Sequence, residues 1–88
     1  MTLSMYCVSS DGELVEVACS QDNLDSVAII IDDDRRRIYL WIGETADVRK
    51  KFIAARKATE LKREKGLIYR IRNIDQGYES EEFMQLFM

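Results

Sequence analysis

The stretch VAIIIDDDRRRIYLWIG, residues 27–43, decides how this chain folds. Residues 27–31 are apolar without a break, the pattern of a central strand covered on both faces. Asp32-Asp33-Asp34-Arg35-Arg36 make a polar connector, and Arg37–Ile42 is a second apolar strand that stops at Gly43. A connector this short joins the two strands antiparallel.

Working outward toward the start, 20–26 is a polar loop and 13–19 alternates, with Val15, Val17 and Cys19 on one face. Ser9-Ser10-Asp11-Gly12 is a turn signal between that segment and the short apolar run 5–8, so the two read as a hairpin. Toward the end, a long helix is expected from Thr45 or Asp47 as cap through Lys65, with Gly66 as its stop. Residues 67–72 read as a strand and 73–78 as a turn, and Ser80 can cap a short helix that runs through Phe87. The order β-β-β-β-α-β-α predicts an α/β sheet with helices packed on it.

Composition narrows the class. Eighty-eight residues hold one modest core, so 1–88 is read as a single domain, with coherent ends suggesting a complete unit. At 47% hydrophobic and 33% charged, the chain is neither disordered nor fibrous. Its longest apolar run is five residues, against roughly 20 for a membrane helix. The opening residues carry neither a basic region nor an apolar one, so no signal peptide is read there, and a cytoplasmic location is expected.

Charge is uneven. Residues 47–65 hold eight basic and three acidic side chains, a surplus of +5, while the whole chain is −3, so the remainder is −8. A basic rod on an acidic body is either a solvated helix face or a docking surface for something acidic, whether protein or anionic lipid. Nucleic acid is excluded as a partner, because a chain of pI 4.9 repels a polyanion from its other sides. Within the rod, Ala54, Ala55, Ala58 and Leu61 fall in an arc of roughly 120° and read as the core face. Phe52 and Ile53 point away from it, to be covered by a neighbouring loop or left free to anchor a partner.

Several pieces in order give a family resemblance. Trp41-Ile42-Gly43 closes a strand ahead of a long helix, Tyr6-Cys7-Val8 with Val15-Glu16-Val17 opens the chain, and Leu24 precedes the run 27–32. Near the end, Asp75-Gln76-Gly77-Tyr78-Glu79 precedes a helix that carries Phe83 and Phe87. Together these resemble a gelsolin-like domain of the gelsolin and villin kind, over nearly the whole chain. The resemblance implies a central mixed sheet of about five strands between one long and one short helix. It also implies a domain that binds actin through the long helix, with calcium and phosphoinositides as regulators.

Carried over by position, the contact face is Phe52, Ile53, Arg56, Thr59, Glu60 and Arg63. The family's actin-binding repeats are more aliphatic around positions 56 and 59, which leaves Phe52 as the anchor. The family's calcium positions fall on Ser26 and Lys50, and Asp25 is a weak substitute. Calcium requires several oxygen ligands and negative charge, and Lys50 offers neither, so calcium is not expected at this site.

Two further readings stay open. One is a gelsolin-fold interaction module, associated with a coat or another complex, that does not bind actin. The other is a membrane-surface module in which Arg49, Lys50, Lys51, Lys57 and Arg56 meet anionic headgroups. The open edges of such a sheet also make a homodimer possible.

Enzyme chemistry is not expected. The triple aspartate 32–34 reads as a turn balanced by arginines, and its side chains diverge along an extended chain. Cys7 and Cys19 read as inert thiols, since histidine is absent and no Cys-x-x-Cys spacing occurs. The four glycines are isolated and form no phosphate cradle. Trp41 reads as core rather than as a ligand platform.

Overall fold

The computed structural model describes residues 3–88. Its elements follow the expected order: β1 (Leu3–Val8), β2 (Leu14–Val17), β3 (Val27–Asp32), β4 (Arg37–Ile42), α1 (Val48–Lys65), β5 (Arg70–Asp75) and α2 (Glu81–Met84). The strands form one mixed sheet in the order β2-β1-β3-β4-β5. All neighbours are antiparallel except β4 and β5, which are parallel because α1 carries the chain back across the sheet. Among the described residues no helix is long and apolar enough to cross a membrane.

Both faces of the sheet are covered, which is why every residue of β3 is buried. On the α1 face, Ile29, Ile31, Ile38 and Leu40 pack with Ala54 and Ala58. Small side chains let the helix lie close, and Leu61 joins at the margin. On the α2 face, Met5, Ala28, Ile30, Tyr39, Trp41 and Ile74 pack around Phe83. Trp41 is therefore core, and its indole Nε1 donates to Glu79 Oε2 at 3.0 Å. Tyr39 likewise donates its hydroxyl to Glu82 Oε1 at 2.5 Å. The run around Gly77 thus has a structural role: it delivers two carboxylates to the polar tips of two buried aromatics.

That tethering sets a pH response. The indole of Trp41 holds the Glu79 carboxyl below the usual range, and the hydroxyl of Tyr39 does the same for Glu82. Carboxyls lowered in the folded state add stability that is complete above the ordinary glutamate pKa of about 4.3 and lost as pH falls through their lowered values. Tyr39 moves the other way, pushed up to about 12 by burial and then by Glu82. Its contribution is whole below the ordinary tyrosine pKa of about 10 and disappears as pH rises toward the raised value. Urea midpoints measured against pH should form a plateau that declines at both of these ends; a midpoint unchanged well into acid would refute the account.

The aspartates at the β3–β4 turn divide their work. Buried Asp32 accepts from the backbone N–H groups of Asp34 and Arg35 at 3.1 and 3.3 Å and so closes the turn, in which Arg36 takes φ 57°. Asp33 reaches back to Tyr69 Oη at 2.5 Å and Lys65 Nζ at 3.0 Å, which pins the α1–β5 connection.

Three expectations need correction. The last strand lies at Arg70–Asp75 rather than 67–72, and residues 73–75 belong to it rather than to a turn. Leu67 and Ile68 favour a strand by type, but β4 begins at Arg37, opposite Arg70, so no partner strand reaches them. Of the two candidate caps, it is Asp47 that closes the start of α1, its side chain accepting from Lys50 N. Ala55 is exposed rather than core, and Ile53 is packed rather than outward. Val15 shares its face with Val17 as expected, yet sits half exposed because β2 is an edge strand.

Gly43 marks a close approach. A Cβ there would lie 2.6 Å from the Asp25 carbonyl oxygen and 2.8 Å from that of Ser26. Its N–H donates to that same Ser26 carbonyl at 2.7 Å, so the two backbones cannot separate freely. Gly43→Ala is expected to cost about 1–3 kcal/mol, as overpacking does. An unshifted urea midpoint in this variant would show that the loop yields without cost.

Candidate functional site

The outward side of α1 carries the site. The helix starts at the Asp47 cap and ends at Gly66, where φ is 130°. Lys62 Nζ donates to the carbonyls of Leu67 and Tyr69 at 3.2 and 2.6 Å, which ties off the C-terminal turn. The solvent side of the rod is thus fixed at both ends.

Phe52 stands 71% exposed in the first half of this helix. Val48, four residues earlier, and Ala55, three later, are also exposed. With Thr59 they follow the i, i+4, i+7, i+11 spacing of one helical stripe. The stripe borders an open groove of about 320 Å³ floored by Leu40 and Ile42 of the sheet and walled by Lys51 and Asn73. Arg56 and Arg63 are exposed alongside the stripe, and Glu60 is exposed beyond them. Thr59 donates its hydroxyl to the Ala55 carbonyl at 3.1 Å, so it presents its methyl group and little polarity. The result is an apolar ridge with a cationic margin.

The Phe52–Ile53 pair is split. Ile53 is half buried and joins the core cluster under the β1–β2 turn, where a Cβ on Gly12 would sit 3.4 Å from Ile53 Cδ1. Phe52, turned about 100° from it, faces the open. Of the six residues carried over as a contact face, five are exposed on one side of α1 and Ile53 is not. Val48 and Ala55 belong to that exposed side although the sequence reading left them out. The signal was present in their spacing from Phe52.

The remaining cations do not share a face, since residues 49, 50 and 51 are each turned about 100° from the next. Arg49 donates from its Nη1 to the Ser10 carbonyl at 3.3 Å. Lys51 lines the groove. Lys50 and Lys57, seven apart, lie half buried on the Ile53 flank. Lys50 Nζ is 3.4 Å from Ser26 Oγ, so of the two positions matched to calcium ligands one places its ammonium against the other. Asp25 is exposed beside them. Among the described residues no group of three metal-ligating side chains comes together. Burial pushes the Cys19 thiol up, and burial followed by the Asp25 carboxylate does the same for Cys7, which keeps both protonated at neutral pH.

Comparison with known proteins agrees with this architecture. A gelsolin-repeat family model matches residues 12–84. The Thorarchaeota ProGel, solved in complex with rabbit actin, is similar with a TM-score of 0.92 and 32% identity, covering 99% of this chain and all of that one. The Thorarchaeota 2DGel3, also solved with rabbit actin, gives a TM-score of 0.84 and 27% identity, covering 98% of this chain but 45% of that one. No curated protein matches the sequence. The mixed sheet between a long and a short helix, the order of its elements and the match over 12–84 give one conclusion: this chain belongs to the gelsolin-repeat family.

Proposed function

We propose that this chain is a non-catalytic actin-binding domain that acts in the cytoplasm and docks through the outward side of α1. The observation that carries the reading is the exposed Phe52 stripe, on a fold whose relatives were solved with actin bound. Phe52 is the apolar anchor, with Val48 and Ala55 packing around it, and Arg56 and Arg63 meet the acidic partner at the rim. A buried aromatic centre with a charged rim is the ordinary division of labour in an interface: the centre supplies affinity, the rim steers and orients.

Calcium has no part in the docking on this reading. The Lys50 ammonium beside Ser26 opposes a divalent cation by like charge and takes up a direction a ligand oxygen would need. Titrating the chain against monomeric actin, with calcium and with a calcium-selective chelator in the presence of magnesium, tests both parts. The expected result is binding of equal strength in both conditions. Binding that requires calcium would overturn the assignment at Ser26 and Lys50, and absence of binding in both would overturn the actin reading itself.

A further inference from the structure

Residues 1–26 hold five acidic residues and no lysine or arginine. Of these, Glu16 is exposed on β2 and Glu13 just before it, at one edge of the sheet. The other end is the reverse. Arg70 and Arg72 are exposed on β5 and the parallel pairing sets Arg37 beside Arg70, while the arginines of the β3–β4 turn are balanced by its aspartates, Arg35 pairing with Asp32. Among the described residues no salt bridge joins Glu13, Glu16 or Arg70 to another side chain, and Arg72 shares a groove with the Glu82 carboxylate, whose pKa is lowered by the Tyr39 hydroxyl first and by this charge as well.

Both ends are open strand edges, with unpaired main-chain groups along one side. Like charges disfavour pairing of β2 with β2 and, through Arg70 and Arg72, of β5 with β5, although β5 also ends on the exposed Asp75. Unlike edges attract. Strand direction agrees with that pairing: alternation through β1, β3 and β4, followed by the parallel step to β5, leaves β2 and β5 running in opposite senses. A second copy laid beside the first in the same orientation therefore brings its β2 antiparallel to β5, the better-bonded arrangement. Faces agree as well. Arg70 and Arg72 alternate to the α2 face with Ile74, and Val15 and Val17 alternate to that face on β2, with Glu13 next in the same series. Glu13 then lies within direct or diagonal reach of Arg72, and the arginine stems cover Val15, which is 48% exposed in the single chain. Leu67 and Ile68, 86% and 65% exposed just before β5, add apolar surface to the same contact.

We infer that a second copy of this chain is the partner of its sheet edges, joined head to tail, with β2 of one copy extending the sheet at β5 of the next. A contact of this kind uses two different surfaces and leaves one of each free, so it grows an open row rather than closing as a dimer. It goes beyond actin docking and does not depend on it, because it uses the sheet edges and not the Phe52 stripe.

Sedimentation equilibrium of the full chain tests it. At low ionic strength the average mass should rise with concentration past twice the 10.3 kDa of one chain, and at high ionic strength it should return to that value. The reversals E13K/E16K and R70E/R72E, each checked for a native circular dichroism spectrum, should each leave the chain monomeric. Mixed in equal amounts they should recover assembly, because every contact between unlike variants is again complementary. If either reversal unfolds the chain, E13Q/E16Q and R70Q/R72Q replace them, and each should lower the average mass. Any one of four results would overturn the inference: a wild-type chain monomeric throughout, a mass that stops at a dimer, single variants that assemble like the wild type, or folded reversals that stay monomeric when mixed.

Discussion

Phe52→Ala is expected to weaken actin binding by roughly 30-fold or more, the loss of about 2 kcal/mol or above that marks an aromatic hot spot. The ring is 71% exposed in the single chain, so docking removes most of its apolar surface from water. The same exposure means that the fold does not depend on it. Stability should move by no more than about 0.5 kcal/mol, as at other surface positions. That split, a large effect on binding and almost none on folding, distinguishes an anchor from a structural residue. Isothermal titration against monomeric actin beside urea unfolding reads both quantities. An affinity equal to wild type would remove the α1 face from the interface.

The neighbouring position is expected to behave in the opposite way. Ile53 packs under the β1–β2 turn, so Ile53→Ala destabilises the domain and touches the partner only indirectly. Changing Phe52 and Ile53 together would therefore mix a binding defect with a folding defect. The single Phe52 variant is the clean probe.

The largest expected effect on stability lies on the far side of the sheet. Phe83 is fully buried, with its ring centroid 5.6 Å from Tyr39 at an interplanar angle of 66° and 5.4 Å from Phe87 at 70°. Both are edge-to-face arrangements, which add to the area term. Removing a buried phenyl ring in Phe83→Ala is expected to cost about 3–5 kcal/mol, against a total of about 5–15 kcal/mol for an ordinary domain. The segment cannot compensate, because α2 is four residues long and too short to be helical by itself. Phe83, with Glu82 on Tyr39 and Glu79 on Trp41, is what holds the closing segment to the sheet. The urea midpoint should fall steeply, and the fraction still folded should bind actin as wild type does, since the two faces are separated by the sheet. A midpoint close to wild type would mean that the closing segment is dispensable.

Much of this architecture was legible in the sequence. The uninterrupted apolar run at 27–31 implied a strand covered on both faces, and the structure has one helix on each side of it. Asp47, Gly66 and Ser80 read as caps and stops because their chemistry is local, a side-chain oxygen or a permissive φ acting within a few residues. The end of the chain was less legible. Leu67 and Ile68 have the residue types of a strand, and only the position of the β4 terminus shows that no neighbour is available there. Strand formation requires a partner, and partner registry is not a local property.

The division on α1 has the same origin. Ala54 and Ala58 define the buried direction from sequence alone, but Ile53 and Ala55 each lie about 100° from Ala54, on opposite flanks. Helical periodicity treats those flanks as equivalent. The tertiary structure separates them, because the β1–β2 turn reaches over Ile53 while the Ala55 flank opens onto the groove above Leu40 and Ile42. The sequence by itself determined the elements, their order and the existence of an apolar, basic helix, since these follow from periodicity, capping and composition. Which side chains of that helix meet solvent, where the last strand begins and how opposite charges separate to the two sheet edges were decided only in three dimensions. Each depends on what a distant segment covers, and coverage is a property of the packed chain.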